Sequence, residues 1–178
     1  MKIGVISDTH GSISAWENAY TRYLSETELI IHCGDILYHG PRNPLPAGYD
    51  PGALLAKLNA LENPLLLVRG NCDAEVDQMV LDFPLEAPYA HLFTGAYRIL
   101  VHHGHLEIPD KAKRGYDLII SGHTHPPGIK EENGVLYLNP GSAALPKDER
   151  ETPTLAVIDG REIVIWDLKT GEAVQQWR

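Results

Sequence analysis

Five stretches of this chain carry side chains suited to binding metal ions. They are Asp8-Thr9-His10, Gly34-Asp35, Gly70-Asn71-Cys72-Asp73, His103-Gly104-His105 and Gly122-His123-Thr124-His125. Together they offer carboxylates (Asp8, Asp35), an amide (Asn71) and several imidazoles. Borderline divalent cations such as manganese, iron(II), nickel or zinc take this mixture of nitrogen and oxygen donors. The set is large enough for two ions, with positions left open for water and substrate. Two ions about 3.5–4 Å apart need a bridging carboxylate, and such pairs drive displacement at phosphorus.

Each stretch follows a short apolar run, at residues 2–6, 29–31, 65–68, 97–101 and 118–120. The runs are rich in Val, Ile and Leu and are stopped by Gly, as buried strands are. The metal-competent groups therefore stand at the carboxyl ends of strands, where open α/β sheets bind ligands. Between the early strands the pattern is helical. Ser14 and Glu17 form a capping box, and Trp16, Ala19, Tyr20, Tyr23 and Leu24 share one face. Asp50-Pro51 starts a second helix, with Leu54, Leu55, Leu58 and Leu61 as its buried stripe. This alternation predicts a parallel βαβαβ half. From Tyr89 onward the pattern is strands with little helix, at 135–138, 154–158 and 162–168, the last joined through Lys169-Thr170-Gly171 to 172–177. The expected architecture is one domain over residues 1–178, with two sheets and helices outside. The Pro- and Gly-rich stretch 39–49 reads as a long ordered loop, a kind often functional.

With 15 basic and 24 acidic residues the net charge is −9. Extended nucleic acid is not an expected partner, because its phosphates need a basic face. A small phosphorylated substrate stays open, since metal charge reverses the local field. No apolar run is long enough to span a membrane, and the opening residues reach charge too early for a signal peptide. Cys33 and Cys72 are the only cysteines. Without an export signal the expected compartment is the cytoplasm, with two thiols and no disulfide.

In order and spacing the five blocks resemble the calcineurin-type metallophosphoesterase family. Its pattern is Asp-x-His, Gly-Asp, Gly-Asn-His-Asp/Glu, a His before Gly, and Gly-His-x-His. The insert Gly40-Pro41-Arg42-Asn43-Pro44-Leu45-Pro46 is similar to that of the small bacterial YfcE-type phosphodiesterases, and Asn139-Pro140-Gly141-Ser142 also occurs in small members. The resemblance covers most of the chain. It implies a mixed α/β fold, a four-layer αββα sandwich of two mixed sheets flanked by helices. It implies that Asp8, His10 and His125 bind one metal, that Asn71, His103 and His123 bind a second, and that Asp35 bridges them. Manganese is the first expectation, with iron, nickel or zinc as alternatives. Asp35, Asn71 and His103 would act through the metals while a bridging hydroxide attacks a small phosphodiester in line, with no covalent enzyme intermediate.

Two positions depart from the pattern. Cys72 stands where many relatives have His, and a thiol with an ordinary pKa of about 8.5 is a poor proton donor to an alkoxide. The expected substrate is a diester with a stable leaving group, unless a donor such as His105 replaces the missing His. Related protein Ser/Thr phosphatases read Gly-Asp-x-x-x-Arg-Gly, whereas the segment here ends His39-Gly40. His39 or Arg42 would have to grip phosphate, so protein phosphatase activity is disfavoured.

Plainer readings stand beside these. Asp8 and Asp35 also suit caps and turns, Asn71 a turn, and Arg42 a surface ion pair. Asp73 either orients a ligand or caps the segment 74–81. His105 is a ligand-orienting, substrate-contacting or turn residue. His102 points away from His103 in an extended strand and reads as structural, His32 as a core histidine, and His91 as having no role. Cys33 reads as a small buried hydrophobe, and residues 139–142 as a turn bracing the site. Three function classes follow: a phosphodiesterase; a phosphomonoesterase, nucleotidase or nuclease on the same site; and a non-catalytic scaffold, since a eukaryotic retromer subunit has a similar fold. Exposed strands near the carboxyl terminus leave a homo-oligomer open.

Overall fold

A computed structural model describes residues 1–178. Three parallel strands, β1 (Lys2–Ile6), β2 (Leu29–His32) and β3 (Leu65–Val68), form the middle of the first sheet, with Ile3 beside Leu29 and Ile30 beside Leu65. They bury both faces. Val5, Ile31 and Val68 enter one core, while Ile6, Ile30 and Leu67 enter another. That two-sided burial is why they read as unbroken apolar runs. On the far side of β3 lies the two-residue β4 (Leu85–Glu86).

The second sheet contains β5 (Tyr89–Phe93), β6 (Arg98–His102), β7 (Leu118–Ile120), β8 (Gly128–Glu132) and β9 (Val135–Asn139), in the order β5-β6-β7-β9-β8. Here β6, β7 and β9 run parallel. The chain then returns to the first sheet as β10 (Thr154–Asp159), β11 (Glu162–Asp167) and β12 (Ala173–Trp177), antiparallel beyond β1. The seven-stranded order is β12-β11-β10-β1-β2-β3-β4. The two sheets pack face to face, and Val5, Ile31 and Val68 share the core between them with Val101, Ile120 and Leu138.

Helices cover the sandwich unevenly. On the outer face of the larger sheet, α1 (Ile13–Ala19) and α2 (Pro51–Asn59) bury Trp16, Ala19, Leu54 and Leu58. On the smaller sheet Ile108 and Tyr116 pack against Leu100 and Ile119, and the single turn between them, α4 (Asp110–Lys113), buries no residue. A further short helix, α3 (Glu75–Val80), follows β3.

Two local readings are corrected. The N-cap of α1 is Ser12 and not Ser14. Ser12 has extended backbone and its Oγ accepts from Ala15 N at 3.1 Å, whereas Ser14 Oγ donates to Ala47 O at 3.0 Å. Both serine hydroxyls donate to Ala47 O, Ser12 at 2.6 Å, and it is Ser12 Oγ that also accepts from the first turn of the helix. After Ala19 the helix widens, and Ser25 N donates to Tyr20 O, five residues back. Asp73, in turn, does not cap α3; Ala74 does, its N–H donating to Asp77 at 2.7 Å. The second helix begins as expected, with Asp50 accepting from Ala53 N at 2.9 Å and Pro51 in the first turn. Cys33 and Cys72 are free thiols. No helix is long and apolar enough to cross a membrane.

Candidate functional site

The chain turns sharply as it leaves β1, β2 and β7. Asp8, His10, Asp35, His123 and His125 all have positive φ, between 47° and 75°. The left-handed region costs a non-glycine residue about 1–3 kcal/mol, and such residues cluster where a site needs them. Only two other non-glycine residues, Asn133 and Glu151, share it. The strained turns aim side chains from both sheets into one place.

Three groups of candidate ligand atoms result, each with all atoms within 4.8 Å of one another. They are Asp8, His10 and His125; Asp35, His103 and His123; and His10, Asp35 and Cys72. Asp35 links the first two groups. Its Oδ2 lies 3.8 Å from His10 Nε2 and its Oδ1 3.4 Å from His103 Nε2. Asp8 Oδ1 lies 3.7 Å from His10 Nε2 and 3.5 Å from His125 Nε2, and the two Nε2 atoms are 3.4 Å apart.

The imidazole orientations are set from behind. His10 Nδ1 faces Tyr38 O at 3.0 Å, His103 Nδ1 faces Cys33 O at 2.7 Å, and His125 Nδ1 faces Leu145 O. A carbonyl only accepts, so each Nδ1 carries the proton and each Nε2 turns its lone pair inward. Metal-binding histidines are held this way. Asp8 Oδ1 and His103 Nε2 are buried without a hydrogen-bond partner. Lone pairs converging on carboxylate oxygens repel one another, and a buried unpaired polar atom is costly. A divalent cation in each group resolves both problems, so the donor set fits metal ions.

The protonation chemistry agrees. Burial pushes the Asp8 carboxyl up to about 7, an expense that a neighbouring cation removes. Burial also holds His10 and His123 below their ordinary value and takes His125 down to about 4, so they are neutral. Burial acts to raise Asp35, but the neighbouring His103, 3.4 Å from its Oδ1, and Cys72 N–H, donating at 2.8 Å, hold it below the usual carboxylate range. Neutral imidazole and ionised carboxylate are the metal-binding forms.

A shell of hydrogen bonds fixes the turns. The buried Asp73 carboxylate accepts from Asp35 N (2.8 Å), Ile36 N (2.7 Å) and Gly70 N (2.7 Å), so it orients the candidate bridging residue through its backbone. Asp8 Oδ2 accepts from Ser7 Oγ at 2.6 Å and His123 N at 3.0 Å. The Asn139–Ser142 turn braces the site as expected: Asn139 Nδ2 donates to Gly122 O and Ser142 Oγ to Asp8 O. A Cβ on Gly122 would sit 1.9 Å from Ser7 Oγ, which leaves glycine as the residue that fits there. His32 is a core histidine, its Nε2 2.9 Å from Thr9 Oγ1 and its Nδ1 accepting from Gly34 N.

A cleft of about 660 Å³ opens over the site, lined by Asp35, Asn71, Cys72, His123 and His125 and flanked by Tyr38, Arg42 and Lys147. Arg42 is thus in position to meet an anion. His39 is not among the cleft residues. Its ring packs between Tyr38 and Tyr49, with centroids 4.7 and 5.2 Å away. His105 is exposed beside His103 and His123, ring centroids 5.4 and 6.1 Å away. His102 is buried, and burial takes it down to about 4. His91 accepts from or donates to Tyr116 OH at 2.7 Å, away from the cleft. Burial and the nearby Asp35 charge push the Cys72 thiol up to about 12. Sequence reasoning missed Ser7 and Lys147. Ser7 adjoins a candidate ligand, but nothing in the sequence marks Lys147 except its place soon after the Asn-Pro-Gly-Ser turn.

Comparison with known proteins gives consistent likenesses. The family model described as "Calcineurin-like phosphoesterase superfamily domain" matches residues 1–162. The chain is 40% identical over 150 residues to "Phosphodiesterase YfcE" of Escherichia coli (strain K12), covering 83% of this chain and 82% of that protein. It is 33% identical over 167 residues to "Probable metallophosphoesterase YsnB" of Bacillus subtilis (strain 168), covering 89% and 83%. Its fold superposes on a solved structure titled a structural and biochemical characterization of YfcE, a phosphoesterase from E. coli. There the TM-score is 0.91 and the identity 34%, covering 99% of this chain and 98% of the other.

Proposed function

The chain belongs to the calcineurin-like phosphoesterase superfamily and is a metal-dependent phosphoric ester hydrolase, and from that premise we propose that it is a dinuclear phosphodiesterase acting on a small phosphodiester. The observation that carries this reading is the convergence of inward-facing Nε2 atoms on Asp8 and Asp35, with Asp8 Oδ1 and His103 Nε2 buried and unpartnered. Asp8, His10 and His125 would hold one ion, Asn71, His103 and His123 the other, and Asp35 both. Manganese is our first choice, with iron, nickel or zinc as the other ions this donor set takes. We also read residues 1–178 as one domain, because both sheets contribute to the one site.

When bound, the ion pair supplies hydroxide at neutral pH and neutralises charge on the phosphoryl oxygens for an in-line displacement. The chain's own residues prepare for this. Asp73 fixes the backbone of Asp35, and the carbonyls of Tyr38, Cys33 and Leu145 fix three imidazoles. Arg42 stands at the cleft with a planar guanidinium suited to a phosphate oxygen. Cys72, with a pKa near 12, gives a poor match to general-acid duty at neutral pH. That favours diesters whose leaving group needs no proton. The E. coli relative's name, a phosphodiesterase, points the same way.

The test is hydrolysis of bis-p-nitrophenyl phosphate beside the monoester p-nitrophenyl phosphate, with and without manganese. Diester hydrolysis that needs the ion supports the proposal. A preference for the monoester would replace it with the phosphomonoesterase reading. Purified protein that takes up no metal from manganese-supplemented medium would favour a scaffold.

A further inference from the structure

Beside the cleft lies a second cavity of about 520 Å³, between the start of α1, the loop around Ala47 and the segment after Ser142. Small-molecule pockets run from about 300 to 1,000 Å³. None of the candidate metal-binding side chains lines it. Ala15, Ala47, Ala143, Ala144, Leu145 and Pro153 supply its apolar surface, bordered by the polar side chains of Ser12, Ser14, Asn18, Glu151 and Lys169. Asn43, Pro44 and Lys147 line both this cavity and the cleft, so the two share a partition.

That partition is tied to the site. Leu145 O accepts from His125 Nδ1, and the exposed Lys147 places Nζ 3.4 Å from His125 Nε2. An ammonium there is repelled once His125 turns its lone pair to a divalent ion. A phosphate oxygen bound in the cleft that Lys147 lines would give that ammonium a partner.

Resting on the phosphodiesterase reading above, we propose that the apolar cavity receives the ester substituent that is not displaced, and that Lys147 contacts a phosphoryl oxygen at the junction. The substrates are then monoanionic phosphodiesters that keep an aryl or bulky alkyl group. Water oxygen bonds to phosphorus, the bond to the leaving alcohol oxygen breaks with its electron pair, and a proton from water ends on the alcohol or in solvent. The product is a monoester whose organic group still occupies the cavity.

The experiment compares bis-p-nitrophenyl phosphate with methyl p-nitrophenyl phosphate, which share a leaving group and differ in the group retained. The ratio of their kcat/KM values is measured in the manganese-loaded wild type and variants. Ala144→Trp is expected to lower the aryl-to-methyl ratio about tenfold, through KM for the aryl diester, the scale of losing one apolar group from a pocket. Its manganese content should match the wild type. Should that variant fail to fold, Ala144→Leu carries the same readout with a smaller change. Lys147→Ala is expected to raise KM for both diesters about tenfold, the scale of a charged hydrogen bond, with Lys147→Arg restoring it. A ratio unmoved in a folded Ala144 variant, or an unchanged KM in Lys147→Ala, overturns the proposal and leaves diester hydrolysis standing. Wild-type protein that hydrolyses neither diester with manganese overturns the underlying phosphodiesterase reading instead.

Discussion

Alanine at position 70 would place a Cβ 2.1 Å from Asp35 Oδ1 and 2.4 Å from Asp35 N, where real Cβ contacts keep at least 3.0 Å. A shift of 0.9 Å or more is therefore needed on the side-chain oxygen. The backbone is not free to give it. Asp35 N and Gly70 N donate to the same Asp73 oxygen, at 2.8 and 2.7 Å, so both segments are tied to one buried carboxylate. The displacement falls on the Asp35 carboxylate, the candidate bridge. Overpacking of this kind costs about 1–3 kcal/mol, or about 2–12 °C in Tm for a chain of this size. Disturbing the support of a ligand weakens metal binding about 10–100-fold, and misplacing a reacting group by about 1 Å costs about 100-fold in rate. Gly52→Ala is the control. Its Cβ meets nothing closer than Asp50 Oδ1 at 3.6 Å, in the first turn of α2, and a helical Gly→Ala change is stabilising by about 0.5–1 kcal/mol. Calorimetric manganese titration, melting curves and diester hydrolysis would be run on both variants. The reasoning is refuted if Gly70→Ala binds manganese as tightly as the wild type and melts within a degree of it.

Asp35→Ala should abolish manganese-dependent hydrolysis by at least about 1,000-fold, since several kcal/mol of charge stabilisation depend on the bridge; steady-state rates at matched protein concentration check this. Chelation should lower Tm by about 5–10 °C relative to protein held at 100 times the metal Kd, which corresponds to about 2.7 kcal/mol of binding stabilisation, as read by calorimetry with and without EDTA. Burial, then the charge of His103, takes His32 down to about 3, below its ordinary 6.5. The folded state keeps this ring neutral while the unfolded chain protonates below pH 6.5, so its stabilisation is complete above 6.5 and is lost as pH falls toward 3. The slope approaches about 1.4 kcal/mol per pH unit, and urea melts of metal-free His32→Gln between pH 6.5 and 4 should show a flatter dependence. Ser142→Ala removes the donor to Asp8 O, a buried bond, and the acceptor for Leu145 N at 2.8 Å, a part-buried one. It should cost about 1–3 kcal/mol in urea unfolding and weaken manganese binding in parallel.

The strand ends were readable because their physics is local. Buried parallel strands need apolar residues on both faces, and Gly34, Gly70 and Gly122 stop them where the chain must turn under close neighbours. The candidate ligands inherit their places from those ends. What sequence could not supply were choices made by tertiary neighbours. Ser14 has the Glu three residues on that a capping box asks for, yet the backbone enters the helix two residues earlier and Ser12 caps it. β8 escaped notice because, apart from Ile129, it exposes Lys130, Glu131 and Glu132, while β4 is too short for any periodicity. His39 follows Asp35 closely in sequence, yet its ring is taken up by Tyr38 and Tyr49. Asp73 gave two readings, and the three N–H groups it accepts come from two loops that converge only in the fold. Lys147 reaches the cleft from a loop between β9 and β10, a placement no local pattern encodes.

Anomalous diffraction at the manganese edge, from crystals grown with the ion, bears most directly on the central claim. Two peaks about 3.5–4 Å apart on either side of the Asp35 carboxylate are predicted, one beside Asp8, His10 and His125 and the other beside Asn71, His103 and His123. One peak alone, or ions bound away from these side chains, would contradict it.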